Sequence, residues 1–158
     1  EEILILDSDN AYDGGNLLAA IHGIRSSPAA LICHFRPFDD NPKWCFAVVN
    51  RDFTVHTLLE KDPSALHRGG QPMVGTFYFD SVRTFRGAAE QVMSTGQATG
   101  AEGAKEFYMS QAVQFLIDNG VTVYAHSVDN VIQLGTPEDV ESFLSSQVTG
   151  QGGHENLY

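Results

Sequence analysis

Three stretches near the start of the chain alternate in a pattern that few folds accommodate. Glu2 to Asp7 reads Glu-Ile-Leu-Ile-Leu-Asp, a short continuous apolar run closed by a carboxylate. Such a run suits a buried parallel strand. Asn16 to Arg25 then places Leu17, Leu18, Ile21 and Ile24 at helical spacing, with Asn16 as a cap. Ser26-Ser27-Pro28 stops that helix, and Ala30 to Phe35 is a second apolar run. Strand, helix, strand in this order predicts a right-handed βαβ unit, and hence an α/β chain with a mostly parallel sheet. Asp7-Ser8-Asp9-Asn10 would sit at a strand's carboxyl end, and Gly14-Gly15 marks a turn.

The remainder reads as further strands and helices. Arg36 to Lys43 is a polar loop with two prolines. Trp44 to Asn50 and Val55 to Leu59, joined by Asn50-Arg51-Asp52, predict a β-hairpin. Val74 to Phe79 is rich in β-branched and aromatic residues and predicts a strand. Helices are expected over Ser81 to Met93 and Phe107 to Asn119, with a small, polar, Gly-rich loop from Thr95 to Lys105 between them. Gly120 suits the second helix's C-cap, and Val121 to Ala125 is a strand. Thr136 offers a side-chain acceptor and Pro137 a fixed φ, so together they open a last helix through Leu144. No repeat or linker divides the chain, and its 158 residues are enough for one core.

Charge narrows the partners. A net charge of −11 argues against a nucleic-acid backbone, which needs a basic patch. It leaves room for a nucleotide, because a divalent metal can offset local charge. No apolar run approaches the roughly 20 residues that span a bilayer, so no membrane partner is expected. Cys33 and Cys45 lack metal-ligand spacing and read as free thiols of a cytoplasmic protein. His22, His34, His56, His67, His126 and His154 form no zinc spacing, and Ser8 lacks a Gly-x-Ser-x-Gly setting. The chain starts without Met, as expected of a segment from a longer reading frame or after processing. Residues 1–147 are expected to be the folded unit. Residues 148–158 are expected to be a disordered tail whose Glu155-Asn156-Leu157-Tyr158 resembles a protease-site tag remnant.

Five segments carry a family resemblance. Ile5-Leu6-Asp7-Ser8-Asp9-Asn10, Pro42-Lys43-Trp44-Cys45-Phe46-Ala47, Glu60-Lys61-Asp62-Pro63, Val74-Gly75-Thr76-Phe77-Tyr78-Phe79, and the stretch from Phe107-Tyr108-Met109-Ser110 to Leu134-Gly135-Thr136-Pro137-Glu138-Asp139 occur in the order found in sugar-1-phosphate nucleotidyltransferases. The chain thus resembles the C-terminal half of such a domain, across nearly all of residues 1 to 146. The resemblance implies a partial Rossmann-like sheet flanked by helices. It also implies a reaction in which a nucleoside triphosphate and a sugar 1-phosphate give a nucleotide sugar and pyrophosphate. The family's Gly-rich triphosphate loop has no counterpart here, so the chain by itself is expected to be inactive.

The same resemblance assigns roles. Asp9 would hold Mg²⁺, which is satisfied by one or two carboxylates plus phosphate oxygens. Lys61 would contact phosphate, Glu60 a sugar hydroxyl, and Lys43 and Trp44 would belong to the substrate-binding segment. Gly75 would let a sugar approach the backbone, or is a strand bulge. Asp7 reads better as a turn residue. Gln133 stands where many members carry a second metal-binding Asp, although the branch with the Trp segment also lacks it. Nucleotide sugars or sugar phosphates are the implied ligands. Two other readings fit the residues. One is a non-catalytic nucleotide-sugar-binding or oligomerising half-domain, a homodimer through an exposed sheet edge. The other is an Asp-x-Asp phosphatase, against which Ala11 stands where Thr or Val is usual.

Overall fold

A computed structural model describes residues 1–24, 27–37, 44–95 and 106–148. The main sheet contains β1 (Ile3–Leu6), β3 (Ala29–His34), β4 (Cys45–Val49), β5 (Val55–Glu60), β6 (Gly70–Phe79) and β7 (Thr122–Ser127). A small second sheet pairs β2 (Asn10–Asp13) with β8 (Asp129–Gln133). The helices are α1 (Leu17–Gly23), α2 (Val82–Thr95), α3 (Met109–Asp118) and α4 (Pro137–Val148). The α/β class, the flanking helices and the hairpin β4–β5 agree with the sequence reading. Lys43 and residues 149–158 lie outside the described residues, so the expected tail is not part of this description.

β6 organises the main sheet. Its run of β-branched and aromatic residues pairs antiparallel with β3 along one edge. β1 and β4 lie end to end along the other edge, with β1 opposite Thr76–Phe79 and β4 opposite Gly70–Pro72. The sheet order is β5-β4-β6-β3-β7. Here the βαβ expectation needs correction. β1 and β3 do run in the same direction, but β6 is inserted between them. The β3–β7 pair is parallel, and the other pairings of the main sheet are antiparallel. A strand's neighbour is set by a distant segment, which periodicity cannot report.

β1 is also not a fully buried strand. Ile3 and Ile5 pack into the core, whereas Leu4 and Leu6 are 41% and 54% exposed. Each face of the sheet carries a core. Ile32, Phe77, Phe79, Val113 and Leu116 join one face to α2 and α3. Leu31, Cys33, Tyr78 and Ile21 join the other to α1. Asn16 precedes α1 without a side-chain cap bond. The Thr136 cap does form: its Oγ1 accepts from Asp139 N–H at 3.1 Å, and Asp139 accepts from Thr136 N–H at 3.2 Å. α4 runs past the expected Leu144 to Val148. The β2–β8 pair was not expected, because its strands are short and largely polar.

Candidate functional site

The two strands sharing one edge of β6 do not meet. β1 reaches Leu6 opposite Thr76, and β4 pairs no further than Pro72. The stretch of β6 between them, from Met73 to Gly75, whose carbonyl accepts from Asp7 N–H at 3.1 Å, forms the floor of a cavity of about 560 Å³. Asp7, Asp9 and Asn10 enter it from the end of β1, Trp44, Cys45, Glu60 and Lys61 from the open end of the hairpin, and Phe107 to Ser110 from the start of α3. Gln133 completes the lining from β8. Asp9, Glu60, Lys61, Gly75 and Trp44, from separate stretches of sequence, therefore share one cavity at the carboxyl ends of β1 and β3. Open α/β sheets place their ligands at such strand ends. Lys43 lies outside the described residues.

Glycines make the carboxylates' approach possible. Gly75 sits at a β6 register shift with φ +65, so it is a bulge residue in the left-handed region. A Cβ there would fall 1.7 Å from Asp7 Oδ2. A Cβ on Gly135 would fall 2.8 Å from Asp9 Oδ2. Asp9 is further held by Asn10, whose Nδ2 donates to Oδ1 at 3.0 Å, and by Leu134 N–H, which donates to the Asp9 carbonyl at 2.8 Å. Partial burial, with the Asp9 charge beside it, raises the pKa of Asp7 above its ordinary value. The two acids thus bring negative charge to the same side of the cavity. Among the described residues no cluster of three or more His, Cys, Asp or Glu side chains is arranged as a metal cage.

The opposite wall carries the cation found among the described lining residues. Lys61 donates from Nζ to Tyr108 Oη at 3.1 Å and lies 4.8 Å from that ring's centroid. The hydrogen bond to Tyr108 raises the Lys61 pKa, so the ammonium stays charged through neutral pH. Ser110 Oγ donates to Glu60 Oε2 at 2.5 Å. The α3 start therefore orients both members of the Glu60-Lys61 pair. Sequence reasoning gave Tyr108 and Ser110 no role, although both lie in a segment that carried the resemblance. It also treated Asp7 as a turn residue and Gly135 as part of a helix start. Their contribution comes from contacts between distant segments. Burial, with Glu60 next, pushes the Cys45 thiol far up, and burial pushes Cys33 up to about 12. Both cysteines are free.

No family model and no curated protein sequence matches the chain. Solved structures do. A nucleoside-diphosphate-sugar pyrophosphorylase from Vibrio cholerae RC9 superposes with a TM-score of 0.67 at 18% identity, over 91% of this chain and 56% of that one. A glucose-1-phosphate thymidylyltransferase from Bacillus anthracis, solved with a sucrose, superposes with a TM-score of 0.64 at 11% identity, over 100% of this chain and 57% of that one. The chain thus spans little more than half the length of these structures. Among the described residues no helix is long and apolar enough to cross a membrane. At these identities the likeness establishes architecture: the chain has the Rossmann-like α/β fold of nucleotide-sugar pyrophosphorylases, in part.

Proposed function

We propose that these residues form the sugar-phosphate side of a sugar-1-phosphate nucleotidyltransferase. The observation that carries this reading is the shared cavity, with carboxylates on one wall and the Glu60-Lys61 pair on the other. In the complete reaction a sugar-phosphate oxygen attacks the α-phosphorus of a nucleoside triphosphate in line. A new O–P bond forms, the bond to the β-phosphate breaks, and pyrophosphate leaves. Positioning and charge stabilisation suffice, and no protein nucleophile is required. Lys61 neutralises the sugar phosphate as a point charge. Glu60, oriented by Ser110, accepts from a sugar hydroxyl. The Gly75 backbone and Trp44 bound the sugar, with Lys43 in the same binding segment.

Mg²⁺ suits the opposite wall, because it needs only one or two carboxylates beside phosphate oxygens and Asp7 and Asp9 crowd negative charge there. Asp9 would hold the ion with Asp7 beside it, and the ion would supply charge neutralisation at the phosphates. The absence of a Gly-rich triphosphate loop from these 158 residues makes the isolated chain a binder rather than a catalyst. Calorimetry with glucose 1-phosphate and MgCl₂ tests the reading. Saturable binding is expected, abolished by Lys61→Ala and weakened by Glu60→Gln. No heat from the unsubstituted chain at millimolar ligand would refute it.

The oligomerising alternative is favoured by a different observation. β1 pairs only with β6 among the described residues, and its Leu4 and Leu6 are exposed. A second copy of this chain is the occupant that such an edge fits, by antiparallel pairing across a two-fold axis.

A further inference from the structure

A second cavity, of about 640 Å³, lies where the hairpin tip closes on β7 and the end of α1. The tip is anchored: Thr54 bridges Tyr124, and Ala125 N–H donates to the Phe53 carbonyl at 2.8 Å. Ile24, Leu31, Val49, Phe53 and Tyr124 supply the apolar walls.

Phe53 itself is placed by the fold: its φ of 62 is the left-handed position that closes the hairpin turn, with its N–H donating to the Asn50 carbonyl at 3.1 Å, and its side chain stands exposed at the cavity. Two features of this cavity have no use in the fold alone. His34 lines the cavity, and its Nδ1 is buried with no hydrogen-bond partner among the described residues. Burial and the nearby His126 lower the His34 pKa, so its ring is neutral at physiological pH. Finally, in a chain of net charge −11, no Asp or Glu among the described residues lines this cavity, and Arg51 does. Among the described residues the candidate site, by contrast, is lined by Asp7, Asp9 and Glu60.

We infer that this cavity binds a small aromatic anion, its ring between Phe53 and Tyr124 and its acid group on Arg51. An apolar pocket with a few polar groups is the usual form of a small-molecule site, and a cation at its mouth selects the charge. The cavity is independent of the nucleotidyltransferase reading and shares no lining residue with that site.

The probe is 8-anilinonaphthalene-1-sulfonate, compared with its uncharged analogue N-phenyl-1-naphthylamine. The naphthalene sulfonate should bind one-to-one, with amide shifts in a ¹H–¹⁵N spectrum confined to α1, the hairpin tip and β7. Arg51→Gln should weaken it about tenfold, the effect of losing one charge-assisted hydrogen bond, and leave the uncharged analogue unchanged. Gly23→Phe should block both, because a Cβ at Gly23 meets nothing within 4 Å and the chain should still fold. Absence of saturable binding would overturn the inference, as would equal weakening of both probes by Arg51→Gln. Shifts centred on Leu4 and Leu6 would overturn it too.

Discussion

Lys61 holds a backbone conformation that its own side chain disfavours. Its φ is +50, and a residue other than glycine commonly spends about 1–2 kcal/mol to stay there. Lys61→Gly is therefore expected to raise the unfolding free energy by up to about 1 kcal/mol, part of the gain being lost to glycine's greater unfolded entropy. The same change should abolish sugar-phosphate binding, whereas Tyr108→Phe should weaken binding severalfold with the unfolding midpoint unmoved. Denaturant titration alongside calorimetry checks both, and Lys61→Gly that binds normally would remove Lys61 from the site. Asp7 gives the pH test. Its native pKa lies above the ordinary 3.8, so between the two values the folded chain holds more protons than the unfolded one. Stability from this group therefore falls as pH rises from near 3.8 through the native pKa, and the deficit persists at neutral pH. Asp7→Asn should raise the melting midpoint at pH 7 by about 1–2 °C and change nothing well below the ordinary carboxylate range. Thermal scans across that interval would show an unchanged pH profile if Asp7 were unperturbed.

At the scale of elements, the β6 bulge sets the geometry of the site. Gly75→Ala drives a methyl into Asp7 and strains the left-handed backbone, which together should cost about 2–4 kcal/mol. Adding Asp7→Ala should return the steric share and leave the backbone share. A double-mutant cycle in urea separates them, and strict additivity would show that Gly75 and Asp7 do not meet. Signals carried by a few neighbouring residues were legible in sequence. The hairpin turn at Asn50 to Asp52, the Thr136-Pro137 helix start and the Gly120 cap all follow from local sterics and local hydrogen bonds. Pairings between distant segments were not legible. Nothing in Glu2 to Asp7 reveals that β6 will lie between it and β3, and nothing in Asn10 to Asp13 announces β8. The site divides in the same way. Asp9, Glu60, Lys61 and Gly75 stand in short motifs, whereas Tyr108, Ser110 and Gly135 acquire their roles from what the fold brings against them.

For the whole molecule, the two effects acting on β1 oppose each other. Its exposed leucines and an edge unpaired among the described residues favour a second copy, while a net charge of −11 on each chain repels it. Repulsion between exposed charges is screened as the Debye length falls from about 10 Å at 0.1 M salt to about 3 Å at 1 M. Apolar burial is not weakened by that change. Association through β1 should therefore strengthen with added salt, opposite to an interface held by ion pairs. Sedimentation velocity over a concentration series at both salt levels is expected to show a dimer that gains population at the higher one. Leu6→Lys places a charge on the edge and should return the chain to monomer under both conditions, with the circular dichroism spectrum unchanged. Leu18→Lys, on exposed α1 rather than on the strand, separates edge pairing from general stickiness. If it disperses the dimer as fully as Leu6→Lys, apolar contact rather than strand pairing holds the copies together. A monomer at every concentration and salt would show that repulsion wins and that the edge stays open.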